Sequence, residues 1–431
     1  MKSKKVKKKM TEIIKAMSKS CNRFVRNPKK DFTRNRKLNF HEMLKIILSM
    51  GCSALNSELL EYFNYEEKTA TASAFVQQRA KILPSAFEYI LHKFTGSFED
   101  MKTFESFRLF AVDGSSLNIA HNPDDADTYF EPKVSKGFNQ LHLNAMYDLC
   151  NKLYVDAVVQ PRRKMHEYRA LCDMVDRSSI DGKVIVIADR GYESYNVFAH
   201  IEQKNWYYII RLRDSNTCSL VSGLELPNEK EFDISVSLIL TKKQTSEVKS
   251  HPDIYKFLPI NATFDYLDLH ENKFYPMSFR VVRFKVSDDF YETVITNLDA
   301  FTFPPEKLKT LYSIRWGIET SFRELKYTVG MACFHSKKAD FVYQEIFARI
   351  TMYNFYELIT VNIVVAKKNA KHDYQVNFSA AVQICRQFFR SSKRLPVEKL
   401  ILKYILPVRW ERQYLRRYTA KSFVSFNYRF A

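Results

Sequence analysis

The stretch Lys183-Val-Ile-Val-Ile-Ala188, ending at Asp189-Arg190-Gly191, constrains the fold more than any other feature. A strand with one wet face alternates apolar and polar residues, whereas an unbroken, largely β-branched run needs cover on both faces. Helical patterns stand ready to supply it: "HEYRALCDMVDRSS" precedes the run and "SYNVFAHIEQK" follows it, before a further strand, "WYYIIRLR". Upstream, "FRLFAVDG" is a short apolar run ended by Asp113-Gly114, and "LHLNAMYDLCNKLYVDAVVQP" reads as two strands around a turn near Asp148 to Lys152. Strand, hairpin, helix, strand, helix, strand describes an α/β domain with a mixed sheet.

Other patterns flank this domain. Residues 1–100 read as helical, with apolar residues at three- and four-residue steps in "NFHEMLKIILSMG" and "TASAFVQQRAKILPSAFEYILHKF". Residues 213–303 are strand-like ("FDISVSLIL", "IYKFLPI", "FYPMSFRVVRFKV", "FYETVITNL") and read as a β-rich insertion. Pro304-Pro305 then opens a long helix, and residues 346–431 finish in helices with a basic tail. The catalytic unit is expected over 101–345.

Charge is distributed unevenly. Of a net +19, residues 1–40 hold 15 Lys/Arg against Glu12 and Asp31, and residues 381–431 hold 12 against Glu398 and Glu411, so the middle of the chain sums to about −4. Basic ends around a near-neutral centre suit a protein that grips a polyanion while something else happens between the grips. The seven cysteines are scattered with no zinc spacing, Cys333-Phe-His335 being the nearest approach to a metal pair, so free thiols in a reducing cytoplasm are expected. The basic start is not followed by an uninterrupted apolar segment of the kind a signal peptide requires. "ITMYNFYELITVNIVVA" contains Asn354, Glu357 and Asn362, which favours a core helix over a membrane span.

The chemistry-bearing residues are acids. Asp113 and Asp189 both close apolar strands, at the edge where open sheets collect ligands. On neighbouring parallel strands their carboxylates would approach and repel, and a divalent cation would relieve the repulsion. Singly, each also fits a turn or a helix cap. In "YSIRWGIETSFRELK", at about 100° per residue, Arg315, Glu319 and Lys326 fall within about 60° of Tyr312, beside rather than opposite the apolar stripe of Leu311, Ile318, Phe322, Leu325 and Val329. That placement aims Glu319 at the sheet as a third carboxylate and sets Arg315 and Lys326 where they suit phosphate oxygens. An ordinary ladder of ion pairs at a helix–sheet boundary is the competing account.

The spacing Tyr312-x2-Arg315-x3-Glu319-x6-Lys326 resembles the Y-R-E-K signature of DDE transposases from bacterial insertion sequences, in the group called insertion sequence family four. "AVDGSSL" is similar to the family's first-Asp strand, "VIADRGYES" to its second, and "IRWGIETSFRELK" to its Glu helix. The resemblance runs from about 100 to 345. It implies an RNase H-like mixed sheet with a β insertion before the Glu helix and a triad of Asp113, Asp189 and Glu319 holding Mg²⁺, for which Mn²⁺ can substitute. Tyr312, Arg315, Lys326 and Arg190 would contact DNA. Some relatives stack a flipped base on a Trp in the strand before the Glu helix; here Tyr291 or Phe290 would have to serve, which leaves a hairpin intermediate open. The partners implied are double-stranded DNA, as element ends and target, and a second copy of the chain, acting in the cytoplasm at the nucleoid and not at a membrane.

Rival chemistries find less support. His166-x2-Arg169 matches one element of tyrosine recombinases but is a spacing expected by chance, and His166-Glu167 lacks the second His of a zincin. Gly114-Ser115-Ser116 is not a hydrolase elbow, and no phosphate loop of the G-x-x-x-x-G-K type occurs. A transposase-derived DNA-binding regulator and an RNase H-fold nuclease remain as alternatives.

Overall fold

The computed structural model describes residues 3–34, 36–133, 136–213, 220, 226–268, 274–288, 290–363, 373–391 and 393–408. Five helices come first: α1 (Ser3–Lys19), α2 (Phe40–Ser49), α3 (Leu55–Tyr62), α4 (Ala72–Arg79) and α5 (Ser85–Thr95). Two begin at side-chain caps, Asn39 accepting from Glu42 N–H and Thr71 from Ala74 N–H, which satisfies amides that a first helical turn leaves open. In α1 the apolar Val6, Met10, Ile14 and Met17 are buried, and Lys4, Lys5, Lys8, Lys15 and Lys19 are exposed.

The sheet begins with β1 (Arg108–Ile119), β2 (Tyr129–Phe130), β3 (Phe138–Asp148) and β4 (Leu153–Pro161). The helix α6 (Glu167–Asp176) leads to β5 (Val184–Ala188), and α7 (Tyr195–Gln203) to β6 (Tyr207–Arg211). Strand β3 lies antiparallel to β1 and β4, while β1, β5 and β6 are parallel neighbours. The mixed α/β sheet expected from the strand and helix order is therefore present. Both faces of its centre are covered. Val184, Val186 and Ala188 pack with residues of α6 and α7, and Ile185 and Ile187 pack on the opposite side, as the two-residue period of a strand requires.

Then follow β7 (Phe232–Thr241), the short α8 (Ser246–Ser250), β8 (Tyr255–Phe257), β9 (Tyr275–Ser287) and β10 (Phe290–Thr296). These strands do not form a separate sheet. β10 pairs antiparallel with β6, so the order continues β6-β10-β9-β7-β8 within one ten-stranded sheet. The run "IYKFLPI" contributes only the three residues of β8.

The long helix expected after Pro304 is broken into α9 (Pro305–Ser313), α10 (Trp316–Arg323) and a π-helical turn over Glu324–Val329 that closes on left-handed Gly330. A π turn winds more loosely than an α-helix, so the uniform angular phase used above does not hold through Lys326. The α11 helix (Ala339–Thr360), buried along almost all of its length, follows, and then β11 (Tyr374–Val376), α12 (Phe378–Arg390), α13 (Val397–Lys403) and β12 (Ile405–Pro407). The pairing of β11 with β12 makes this region less purely helical than its sequence pattern implies. The basic tail over 409–431 lies outside the described residues. No described helix is long and apolar enough to cross a membrane.

The polar residues of α11 are structural. Asn354 accepts from Tyr154 N–H at 2.8 Å and donates to Tyr154 O at 2.7 Å and Thr95 Oγ1 at 2.9 Å, pinning α11 to β4 and α5. Glu345 is fully buried and takes Arg79 Nη1 at 2.8 Å and His335 Nδ1 at 3.0 Å. Glu357 is held by burial, with Glu324 adding repulsion and Lys152 opposing both, at a value pushed up to about 7. The folded state thus retains a proton through the window from 4.5 to about 7 that the unfolded chain has released, so stability falls as pH rises across it. Glu357→Gln should flatten that slope in urea titrations and add up to about 3 kcal/mol at pH 8; a slope unchanged in the variant would contradict the assignment.

Candidate active site

The register of the sheet brings the two aspartates together. The parallel pairing of β1 with β5 runs from Arg108 opposite Val184 to Val112 opposite Ala188, so Asp113 and Asp189 are the next residues on each strand. Asp189 ends β5 as expected. Asp113 does not end its strand: β1 continues to Ile119, paired with β3 beyond that point, because β3 is long enough to carry it. By alternation both carboxylates share the face of Leu109, Ile185 and Ile187, which pack against Leu308, Leu311 and Tyr312 of α9.

The helix segment meets them there. Tyr312 donates its hydroxyl to Asp189 Oδ1 at 3.4 Å. Arg315, at the junction of α9 and α10, stands 3.1 Å from Glu319 Oε1 and 4.0 Å from Asp113 Oδ2. The Arg315 side chain is 4% exposed, and its guanidinium lies over the ring of the half-exposed Trp316, 5.1 Å from the centroid. Lys326 reaches back from the π turn to donate to Ser116 O at 2.9 Å. Asp189 also accepts from Arg190 N–H at 2.7 Å, so it does act as a turn cap while facing the site. The Arg190 side chain is exposed, and Tyr291 lies on β10 with the Arg283 guanidinium 5.6 Å from its ring centroid.

Tyr312 is engaged with Asp189, Arg315 with Asp113 and Glu319, and Lys326 with Ser116 O of β1. Arg315 stands between Asp113 and Glu319, and among the described residues no group of three His, Cys, Asp or Glu is gathered as a ready-made cage. A guanidinium can occupy such a position because it is itself the counter-charge that clustered carboxylates require.

The electrostatics fit a cation all the same. Burial pushes the Asp113 carboxyl up to about 6; the Gly114 N–H and Arg315 draw it down, while Glu319 and Asp189 add repulsion. Burial would depress Arg315, but Tyr312, Asp189, Asp113 and Glu319 together raise it, so it stays charged. All three acids therefore act on one small region, offer only hard oxygen donors, and hold a buried cation as placed.

Sequence reasoning missed two residues here. Asp113 and Asp189 line an open cleft of about 730 Å³ together with Glu167, Arg190, Gly191, Tyr192 and Arg213. Glu167 opens α6, and its Oε1 stands 2.9 Å from His142 Nε2 on β3. A Cβ on Gly114 would lie 2.7 Å from Glu167 Oε1 and 2.3 Å from His142 Nε2, so only glycine leaves room for this approach. The available signal was position: a helix start directly after a strand lies at the sheet rim.

The transposase DDE domain family matches residues 105–355, more than half of the chain, which takes in all three acids. The chain belongs to that family, a class of metal-dependent, DNA-cleaving enzymes. Among solved structures it is similar to a piggyBac transposase in a synaptic complex with hairpin DNA, at 10% identity and a TM-score of 0.49, over 92% of this chain and 81% of that one. That likeness is too faint to bear on function. No curated protein matches the sequence.

Proposed function

We propose that this transposase serves a bacterial insertion sequence, binds the ends of its element and moves it by DNA cleavage and strand transfer at Asp113, Asp189 and Glu319. The observation that carries the reading is the convergence of Asp113 and Asp189, adjacent in register, with Tyr312, Arg315 and Glu319 on one face of the sheet. In this reading the strands β3-β1-β5-β6 are the RNase H-like core, residues 213–303 its β insertion, and residues 1–100 and 346–431 the flanking DNA-binding regions. The exposed lysines of α1 support the first of these.

Asp113, Asp189 and Glu319 would hold Mg²⁺, or Mn²⁺ in its place, which when bound polarises a phosphodiester and lowers the pKa of an attacking water or 3′ hydroxyl. The residues of the chain do the rest. Tyr312 fixes the rotamer of Asp189. Arg315, once relieved of its carboxylates, can present its planar fork to phosphate oxygens, and Lys326 acts nearby as a point charge. Arg190 reaches the backbone from the cleft rim, and Tyr291, or the 44% exposed Phe290, can stack an unpaired base. A second copy of the chain would hold the other element end, and the protein would work in the cytoplasm at the nucleoid.

Incubation with Mg²⁺ and DNA carrying the element's own ends tests the reading. Joined products support it. Cleavage without joining would replace it with a nuclease, and binding without cleavage with a regulator.

A further inference from the structure

Cys52 and Cys333 are some 280 residues apart in the chain, yet their side chains meet in a hydrogen bond. Cys52 lies in the loop between α2 and α3, and Cys333 in the turn that follows the π-helical segment. Several independent contacts fix this approach. Glu58 Oε1 accepts from Gly51 N–H at 2.9 Å and from Ser53 N–H at 3.1 Å, holding the chain on either side of Cys52. His335 Nε2 stands 3.0 Å from Ser53 O, and Arg349 donates to Gly51 O at 2.7 Å. Left-handed Gly330 lets the Cys52 sulfur in, since a Cβ there would stand 2.3 Å from it. Both cysteines are reduced and only partly buried. Their surroundings are cationic. The Cys333 hydrogen bond, with Arg349, Arg386 and His335, outweighs burial and brings the Cys52 thiol down to about 6. At neutral pH it is therefore chiefly the thiolate, the nucleophilic form.

We propose that Cys52 and Cys333 are a redox-active pair, which a hydroperoxide converts to a disulfide joining the N-terminal helices to the end of the Glu319-bearing segment. The proposal stands apart from the transposase reading. The Cys52 thiolate attacks the peroxide: an S–O bond forms, the O–O bond breaks and hydroxide leaves. Cys52 is thereby oxidised by two electrons to the sulfenic acid. The Cys333 sulfur then attacks Cys52, an S–S bond forms, the S–O bond breaks, and the Cys333 proton leaves with hydroxide as water. Two thiols and one hydrogen peroxide thus give one disulfide and two waters. Sulfurs already within hydrogen-bonding reach need only a short move to the bonded distance of about 2.05 Å. The consequence is local. Gly330 N–H and Met331 N–H donate to Leu325 O, and Ala332 N–H donates to Lys326 O, so tethering Cys333 pins the turn that carries Lys326.

The test treats the reduced full chain with hydrogen peroxide and maps unreduced tryptic digests by mass spectrometry. The expected product links peptides 46–68 and 327–337, and the thiols counted in the unfolded chain fall from seven to five. Dithiothreitol should reverse both changes. In Cys333→Ser, whose hydroxyl can still donate to Cys52, the sulfenic acid should persist and be trapped at Cys52 by dimedone. Iodoacetamide should modify native Cys52 at least about tenfold faster than the partly buried Cys21. Links joining other cysteines instead, or peroxide leaving Cys52 and Cys333 as thiols, overturn the proposal, as does a Cys52 alkylated no faster than Cys21. The measurements on the native chain decide even where the serine variant fails to fold.

Discussion

Asp189→Ala is expected to reduce DNA cleavage about a thousandfold or more, equivalent to roughly 4 kcal/mol of barrier, while binding of the element ends stays near the native level. The separation of the two effects follows from where the residue sits. Its carboxylate caps a single short turn through Arg190 N–H and receives one hydroxyl, from Tyr312. Removing it costs the fold little, because the strand behind it is buried on both faces by apolar packing. What is lost is one of the two acids that the parallel register sets side by side. Cleavage assays on end-containing DNA, with band-shift measurements run in parallel, check both halves. A variant that still cleaves would remove Asp189 from the centre.

Glu345→Ala should destabilise the protein by roughly 3–5 kcal/mol, the range for breaking one partner out of a buried charge network. Glu345 is fully buried between Arg79 of α4 and Arg349, with His335 on its other oxygen at 3.0 Å. Burial alone would raise its carboxyl, but His335, Arg79 and Arg349 together hold it well below the usual carboxylate range. The stabilisation is therefore present above 4.5 and is lost only as pH falls through the depressed value. Without the carboxylate, two guanidinium groups stay buried uncompensated. Arg79 also bonds Gln344 Oε1 and Phe341 O, and Arg349 bonds Gly51 O at 2.7 Å, so neither can leave for solvent without breaking the joint between the N-terminal helices and α11. Urea unfolding at pH 7 measures the change; a loss below about 1 kcal/mol would show that the network is not a keystone of that joint.

The parts of this molecule that were legible in its sequence are those governed by local pattern. The unbroken apolarity of 184–188 dictates a doubly covered strand, and the acids that end such runs fall at the rim by the same two-residue alternation. Tyr312, Arg315 and Glu319 share a stripe because fewer than three helical turns separate them. Beyond that range, pattern fails for identifiable reasons. The break at Ile314 and Arg315 and the π turn after Arg323 change the winding, and no Pro inside the segment marks either. The pairing of β10 with β6 is a choice of partner across more than eighty residues, which alternation within a strand does not encode. Glu167 looked like a failed zinc motif because what sets it at the cleft, the room left by Gly114 and Gly191 and the contact with His142, is distant in the chain. The inward turn of Arg315 comes from charge balance among three acids, visible only once they are assembled.

The seating of α1 and α5 against α11 has a temporal side. Ile90, Leu91 and Phe94 belong to a core whose other half, including Ile346, Ile350 and Phe355, is encoded some 250 residues later. At a synthesis rate of about 5–20 residues per second, the leading helices wait on the order of tens of seconds for the surface that shelters them. Throughout that interval their lysine-bearing faces are already out of the ribosome. A nascent chain in this condition presents its positive charge to polyanions before its own core has closed.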